Sequence, residues 1–188
     1  MPFMSALLVL AAAAAGEGAR AEDTIGLKTF ERYCLDARDW QATPDLAPAA
    51  AGELSSLESQ AIASHGGKLR VFLASAEPRV LLAFEWEEMK ATGLVFRDGK
   101  IDRTRSQPVT LTAGRCIVFA HEDVWQGMPE AFERAIGVAP RDISNKDQGL
   151  DGLMAIDLDA TSDFPREPRA STFGVTRRDG TTLYRAIM

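Results

Sequence analysis

Three consecutive polar residues, His121, Glu122 and Asp123, form the densest group of potentially reactive side chains in the sequence. They directly follow a predicted strand, and strand ends and loops often carry binding or catalytic groups. Adjacent residues of an extended chain point to opposite sides, so only His121 and Asp123 can converge on one ligand. A tetrahedral metal site needs further ligands, and His65 is the only other histidine. We therefore predict no metal site here and keep His121 and Asp123 as candidate ligand-binding residues; the alternative is a solvated loop.

A second group of acids surrounds an aromatic residue, because Glu85, Glu87 and Glu88 flank Trp86. In a strand, Glu85 and Glu87 share one face and Trp86 takes the other. Paired carboxylates beside an aromatic ring can cleave sugars, but the same alternation is typical of any half-buried strand. Glu85 is the third candidate ligand-binding residue.

A third pattern resembles part of a calcium loop, with oxygen-bearing side chains at Asp157, Asp159, Thr161 and Asp163. A calcium loop also needs a central glycine and a distal bidentate glutamate, and the sequence has neither in register. Motifs for a serine nucleophile turn, a phosphate-binding loop and a dithiol are absent from the sequence. We predict no catalytic residue, no metal and no cofactor, and a non-enzymatic role is favoured.

The first residues are typical of an export signal. Residues 3–15 form an almost unbroken apolar run, too short to cross a bilayer as a helix. Ala19 and Ala21 are small residues at the two positions that a signal peptidase reads, so cleavage is predicted after Ala21. The predicted organisation is a signal peptide over 1–21 and a single domain over 22–188. No Lys or Arg precedes the apolar run, and the alternative is a buried N-terminal helix.

The two cysteines, Cys34 and Cys116, most simply form one disulfide in an exported chain. The alternative is a reactive thiol assisted by His65 or His121. An oxidising compartment disfavours a lone thiol, and neither cysteine lies in a nucleophile motif. The predicted location is therefore the periplasm, or the medium outside the cell.

Charge and hydropathy exclude several classes of partner. The chain of 188 residues carries a formal net charge of −6, and its basic residues are scattered. An acidic surface repels nucleic-acid phosphates and anionic lipids, so neither is a predicted partner. No later segment approaches eighteen apolar residues, so no membrane insertion is predicted after signal removal.

Apolar periodicity and turn residues predict an α+β fold, with a mostly antiparallel sheet of about six to eight strands and a packed N-terminal helix. The predicted helices are Thr24–Asp39, with Thr24 as its N-cap, and a short later one over Met128–Ile136, which Gly137 is expected to end. The predicted strands are Leu69–Leu73, Val80–Glu87, Leu94–Arg97, Lys100–Arg103, Val109–Thr112, Cys116–Ala120, Gly152–Leu158, Ser171–Arg177 and Thr181–Ile187.

Turns separate these predicted strands. Asp98-Gly99 and Asp179-Gly180 suit two-residue type I′ turns, and Ala113-Gly114 is predicted to divide two strands. Residues 41–66 are rich in Ala, Pro, Ser and Gly and are expected to be irregular, with a loose helix from Gly52 to Ser64. This segment is the predicted cover of any pocket.

The layout resembles that of a set of small exported bacterial proteins of unknown function. The resemblance rests on Phe30-Glu31-Arg32-Tyr33-Cys34 near the start, on Cys116-Ile117-Val118 opening a strand, and on the short helix and terminal hairpin that follow. It implies a helix-to-sheet disulfide in a Gram-negative periplasm, and it implies no catalytic residues.

These observations favour a non-enzymatic binding or inhibitor-like module whose partner is an unknown protein or envelope component. The alternative is a small hydrolase or small-ligand-binding protein, with a pocket near residues 41–66 and His121. A third possibility is an accessory of envelope assembly without a discrete ligand.

Overall fold

The computed structural model of the chain describes residues 20–36, 40, 42–64, 66–97, 100–158 and 170–188. Its centre is an antiparallel sheet of eight strands in the order β1-β2-β3-β4-β8-β7-β6-β5, which confirms the predicted α+β class. The strands are β1 Ala47–Pro48, β2 Lys68–Ala76, β3 Arg79–Arg97, β4 Lys100–Ala120, β5 Arg141–Asp142, β6 Asp151–Ile156, β7 Thr172–Arg178 and β8 Thr181–Ile187. The α-helices within the described ranges are α1 Ile25–Tyr33, α2 Ser56–Ala61 and α3 Met128–Ile136.

One face of the sheet carries α1 and α3. Thr24 caps α1 by accepting a hydrogen bond from the backbone N–H of Leu27, as predicted. Phe30 of α1 packs against Phe132 of α3 and Tyr184 of β8, with ring centroids 6.0 Å and 5.7 Å apart. The helix ends earlier than predicted, at Tyr33, and residues 37–39 lie outside the described part of the chain.

A disulfide joins α1 to the centre of this sheet. Cys34 lies at the end of α1 and Cys116 in β4, and both are fully buried. Their Cα atoms are 5.3 Å apart across 82 residues of sequence. The predicted helix-to-sheet disulfide is thus confirmed.

The opposite face of the sheet carries α2. Ser55 and Glu58 cap this helix reciprocally, since the Ser55 hydroxyl accepts from the Glu58 N–H and the Glu58 carboxylate accepts from the Ser55 N–H. Ile62, just after α2, packs in a second apolar cluster with Leu81 and Ile117. Part of the segment predicted to be irregular is therefore anchored to the sheet.

The two central strands are longer than the sequence suggested. The segments predicted as two separate strands before Asp98 belong to β3, and the three predicted after Gly99 belong to β4. The predicted turn at Ala113-Gly114 is wrong, because Gly114 pairs with Trp86 inside the ladder. A Cβ atom on Gly114 would lie 3.1 Å from the Trp40 ring, so this glycine permits close packing rather than a turn.

Beyond the sheet, β3 and β4 continue as a two-stranded ribbon, defined here as residues 87–97 and 100–113. β2 pairs with β3 only as far as Trp86, and β8 pairs with β4 only from Arg115. The ribbon extends about 35 Å at the usual rise per residue. The Met188 N–H donates to the Gly114 carbonyl, so the backbone N–H and C=O groups of Gly114 point away from β3. The direction of the backbone groups alternates along a strand, and Pro108 lies an even number of positions before Gly114. The side of the Pro108 backbone that lacks an N–H therefore also points away from β3, and no hydrogen bond to β3 is lost.

Tight turns and caps match their residues elsewhere. Asp179 and Gly180 have φ values of 51° and 75°, and they join β7 to β8 as predicted. Gly137, with φ 74°, ends α3, which has the predicted bounds. The Asp98-Gly99 turn lies outside the described residues, although Arg97 and Lys100 on either side of it are paired.

The first described residues enter the core. Ala21 is fully buried, and its N–H donates to the Gln126 carbonyl at 3.1 Å. Its own carbonyl accepts hydrogen bonds from the backbone and the side chain of Thr24. Cleavage after Ala21, which stays a prediction, would remove these contacts. Within the described residues, every helix is too short or too polar to traverse a bilayer.

Candidate functional site

A cleft of about 340 Å³ lies on the α2 side of the sheet. One wall is the chain that leaves α2, and the floor is formed by the neighbouring strands β3, β4 and β8. Its volume is within the range of ligand-binding pockets. The residues that line it include Gln60, Ala61, Ala63, Gly67, Glu85, Glu87, Gly114, Arg115, Arg185 and Ile187.

Strand alternation explains which side chains reach the cleft. Phe84, Cys116 and Tyr184 belong to the core beneath α1. Each of them is next in sequence to a residue that therefore points to the opposite face, where the cleft lies. These neighbours are Glu85, Arg115 and Arg185. The sheet thus brings one carboxylate and two guanidinium groups together from three strands.

Glu85 holds the wall of the cleft to its floor. This carboxylate is only 5 % exposed. One oxygen accepts from the Ser64 hydroxyl at 2.6 Å and from the Gly67 N–H at 3.0 Å, and the other accepts from Arg115 Nε at 2.6 Å. Arg115 also donates to the Ala63 carbonyl. Burial of these charges is offset by this set of charge-assisted hydrogen bonds.

A glycine is required beside this carboxylate. A Cβ atom on Gly67 would lie 2.7 Å from the Trp86 carbonyl oxygen and 2.9 Å from Glu85 Cγ. Distances below 3.0 Å are not tolerated, so only glycine lets the chain approach β3 this closely. The wall of the cleft is therefore fixed in place by backbone packing as well as by hydrogen bonds.

Arg185 differs from Arg115 in having no partner among the described residues. It lies on β8, opposite Ile117 of β4, and it is exposed to solvent at the cleft. Among the described residues, no hydrogen bond or ion pair engages its guanidinium. Partial burial, and to a smaller extent the positive charge of Arg115, lowers the pKa of Arg185. The cleft thus holds a cation that nothing in this part of the chain neutralises.

Glu87 is the corresponding anion at the other end of the cleft. It lies at the base of the ribbon, where it pairs with Ala113, and it is exposed. Within the described ranges, its carboxylate also makes no hydrogen bond or ion pair. The buried pair Glu85–Arg115 is internally neutral, so among the described side chains that line the cleft Arg185 and Glu87 remain as the two available charges.

A second buried carboxylate, Glu58, anchors α2 away from the cleft. It accepts from Arg79 Nε at 2.6 Å and from the Ser55 N–H at 2.7 Å, and His121 Nε2 lies 3.3 Å from it. Burial by itself would raise the pKa of Glu58, but the hydrogen bonds from Arg79 and Ser55 outweigh it and lower the pKa to about 2. His121 therefore lies beside a structural ion pair.

The structure separates the three polar residues that the sequence analysis singled out first. His121 contacts Glu58 on the α2 side, whereas Asp123 accepts from Arg177 at 3.0 Å. Glu122 binds the start of α1, accepting from the N–H groups of Ile25 and Gly26 at 2.8 Å and 2.9 Å. A carboxylate there complements the positive end of the helix dipole.

Of the three candidate ligand-binding residues, Glu85 lines the cleft, and His121 and Asp123 do not. From the register, His121 lies about 17–20 Å along the strands from the row that contains Glu85. Among the described residues, no group of three His, Cys, Asp or Glu side chains is arranged to hold a metal ion. Asp159, Thr161, Asp163 and His65 lie outside the described residues.

Glu85 and Glu87 are expected from the sequence on one face of a strand, but Arg115 and Arg185 are not predicted to join them. These two arginines come from strands that are adjacent in space but more than sixty residues apart in sequence. The sequence does contain one signal, the alternation of side chains along a strand, since each arginine is next to a buried core residue. This alternation gives the face of the sheet on which an arginine lies, but it does not give which strands are neighbours.

No protein-family model, curated protein or solved structure matches this chain.

Proposed function

We propose that this protein is a non-enzymatic binding module that acts outside the cytoplasm and takes its ligand in the cleft beside α2. The ligand is either a small molecule or an exposed group of a partner. The observation that carries the proposal is a cleft of about 340 Å³ whose wall is fixed to the sheet by Glu85 and Gly67. A pre-formed concave site with few polar groups is typical of ligand binding.

The extracytoplasmic location is supported by the disulfide and by the apolar pattern of residues 3–15. Disulfides persist in oxidising compartments and are rare in the cytosol. Cys34 and Cys116 are both fully buried, so the bond is part of the core rather than an exposed redox pair.

A binding role fits the state of Glu85 better than a hydrolytic one. Its two oxygens already accept three hydrogen bonds from Ser64, Gly67 and Arg115. Use of this carboxylate as an acid or nucleophile would require these bonds to break and would release the wall of the cleft. The hydrolase alternative predicts turnover that is lost in Glu85→Gln with the fold intact.

Filling the cleft tests the proposal. Ala63 is exposed and lines the cleft, so Ala63→Trp should occupy the space without disturbing the core. Ala50 is exposed in the same segment but outside the cleft, so Ala50→Trp is the matched control. Native mass spectrometry of protein isolated from the periplasm should show a bound mass on the wild type and on the control, and none on Ala63→Trp. An equal bound mass on Ala63→Trp, or none on the wild type, contradicts the proposal.

A further inference from the structure

The two available charges of the cleft have opposite signs and lie at its opposite ends. Arg185 lies on β8 opposite Ile117, and Glu87 lies on β3 opposite Ala113. With the usual rise per residue and spacing between strands, their Cα atoms are roughly 16 Å apart. The charged side chains between them, Glu85 and Arg115, form an ion pair with each other.

The surroundings of these charges are mostly small or apolar. Ala61 and Ala63 form the wall, and Ile187, which is 42 % exposed, lies on the floor. A ligand that lies along the cleft therefore meets apolar surface in its middle and a charge at each end. This pattern does not favour a simple anion, which would engage Arg185 alone and leave Glu87 without a partner in the ligand.

We propose that the cleft binds a short zwitterionic peptide, with its terminal carboxylate at Arg185 and its terminal ammonium at Glu87. This inference rests on the proposed binding function and names its ligand class. An extended chain covers at most about 3.3–3.6 Å per residue, so a tripeptide spans roughly 10 Å. Side chains on a strand stand roughly perpendicular to the sheet, so the two hydrogen bonds at the ends of the ligand, each about 3 Å long, cover the remaining distance. A free amino acid is too short to reach both.

Guanidinium and carboxylate groups suit these two ends. The planar guanidinium of arginine binds a carboxylate with two parallel hydrogen bonds, and a glutamate accepts from an ammonium. Hydrogen bonds to charged groups are stronger than neutral ones. Removal of either terminal charge from the ligand should therefore weaken binding by about tenfold or more.

Calorimetric titration of the full chain with trialanine tests this inference. The comparison ligands are N-acetylated trialanine, trialanine amide, free alanine and inorganic phosphate. Trialanine should bind, each blocked peptide should bind about tenfold more weakly or worse, and free alanine and phosphate should bind more weakly still. Failure of trialanine to bind, or equal binding of blocked and free peptides, overturns the inference.

Two variants assign the ends of the ligand. Glu87→Gln should weaken binding of free trialanine but not of the acetylated peptide, whereas Arg185→Gln should weaken binding of trialanine but not of its amide. A general structural effect would instead weaken all ligands equally, and that result overturns the assignment. Glu133→Gln and Arg178→Gln, at exposed positions outside the cleft, are the matched controls and should bind as the wild type.

The outcomes also separate this inference from the proposed function. If a ligand carried from the periplasm binds the wild type and not Ala63→Trp, while trialanine binds neither, the cleft is a binding site for a different chemical class. If the peptide binds equally to Ala63→Trp and to the wild type, both proposals fail.

Discussion

The buried carboxylate of Glu58 should give this protein a stability that depends on pH in a defined window. The pKa of Glu58 is lowered from an ordinary value of 4.5 to about 2 by Arg79 and Ser55, against the opposing effect of burial. A shift of this size corresponds to about 3 kcal/mol of folding stability. Because the pKa is lower in the folded state, this stability is fully present above pH 4.5. It is lost as the pH falls towards 2.

Glu58→Gln removes the charge while it keeps the size of the side chain. At pH 7 the variant should lose about 3 kcal/mol of unfolding free energy, the order expected when one member of a buried pair is removed. The difference from the wild type should shrink below pH 4.5 and be small near pH 2, where the wild-type carboxylate also becomes protonated. Glu53→Gln, at an exposed position in the same segment, should change stability by less than about 0.5 kcal/mol.

Urea unfolding between pH 2 and pH 7, followed by tryptophan fluorescence and circular dichroism, measures these differences. Trp40 is buried and Trp86 packs against the same core, so fluorescence reports on the sheet. A difference between Glu58→Gln and the wild type that stays constant over the whole pH range would refute the reasoning. A loss smaller than about 1 kcal/mol at pH 7 would refute it as well.

Three further outcomes are expected. Serine at both Cys34 and Cys116 should cost about 4–5 kcal/mol from the entropy of the closed loop, and reductant should lower the melting temperature of the wild type to that of the variant. A chain that begins at Glu22 should unfold about 1–3 kcal/mol more easily than one that keeps the two preceding residues, because it lacks a buried alanine and its hydrogen bonds; denaturant titration measures this. Val109→Pro should accelerate amide exchange across the ribbon, whereas Thr110→Pro should not, since only the former removes a bond to β3; mass spectrometry detects the exchange.

Local signals in the sequence were sufficient for much of the fold. Thr24 as a cap, Gly137 as a helix end and Asp179-Gly180 as a turn each act through the conformation of a few neighbouring residues. Such features do not depend on the rest of the chain, so they were predicted correctly. The alternation of apolar residues likewise gave the strands and the antiparallel class.

The errors came where a distant contact overrides a local preference. A turn is predicted at Gly114 because glycine favours turns, but its role is to admit the ring of Trp40. No local pattern reveals that these two residues meet. The long strands β3 and β4 were divided for the same reason.

The candidate site was predictable only in part. Glu85 is a candidate from the sequence, and part of the segment predicted to cover a pocket forms one wall of the cleft. No local pattern indicates Arg115 or Arg185, because their meeting depends on β8 returning to pair with β4. The three adjacent polar residues after β4, His121, Glu122 and Asp123, form the densest reactive group in the sequence, but the fold directs them to three different partners.

The ribbon of β3 and β4 begins where the neighbouring strands stop, and the strand pairs given for it join only β3 and β4. Changes in its length beyond Glu88 and Thr112 therefore break no backbone pairing of the other six strands. Natural selection or a protein engineer can shorten or lengthen the ribbon there while the strand order of the rest of the sheet is kept.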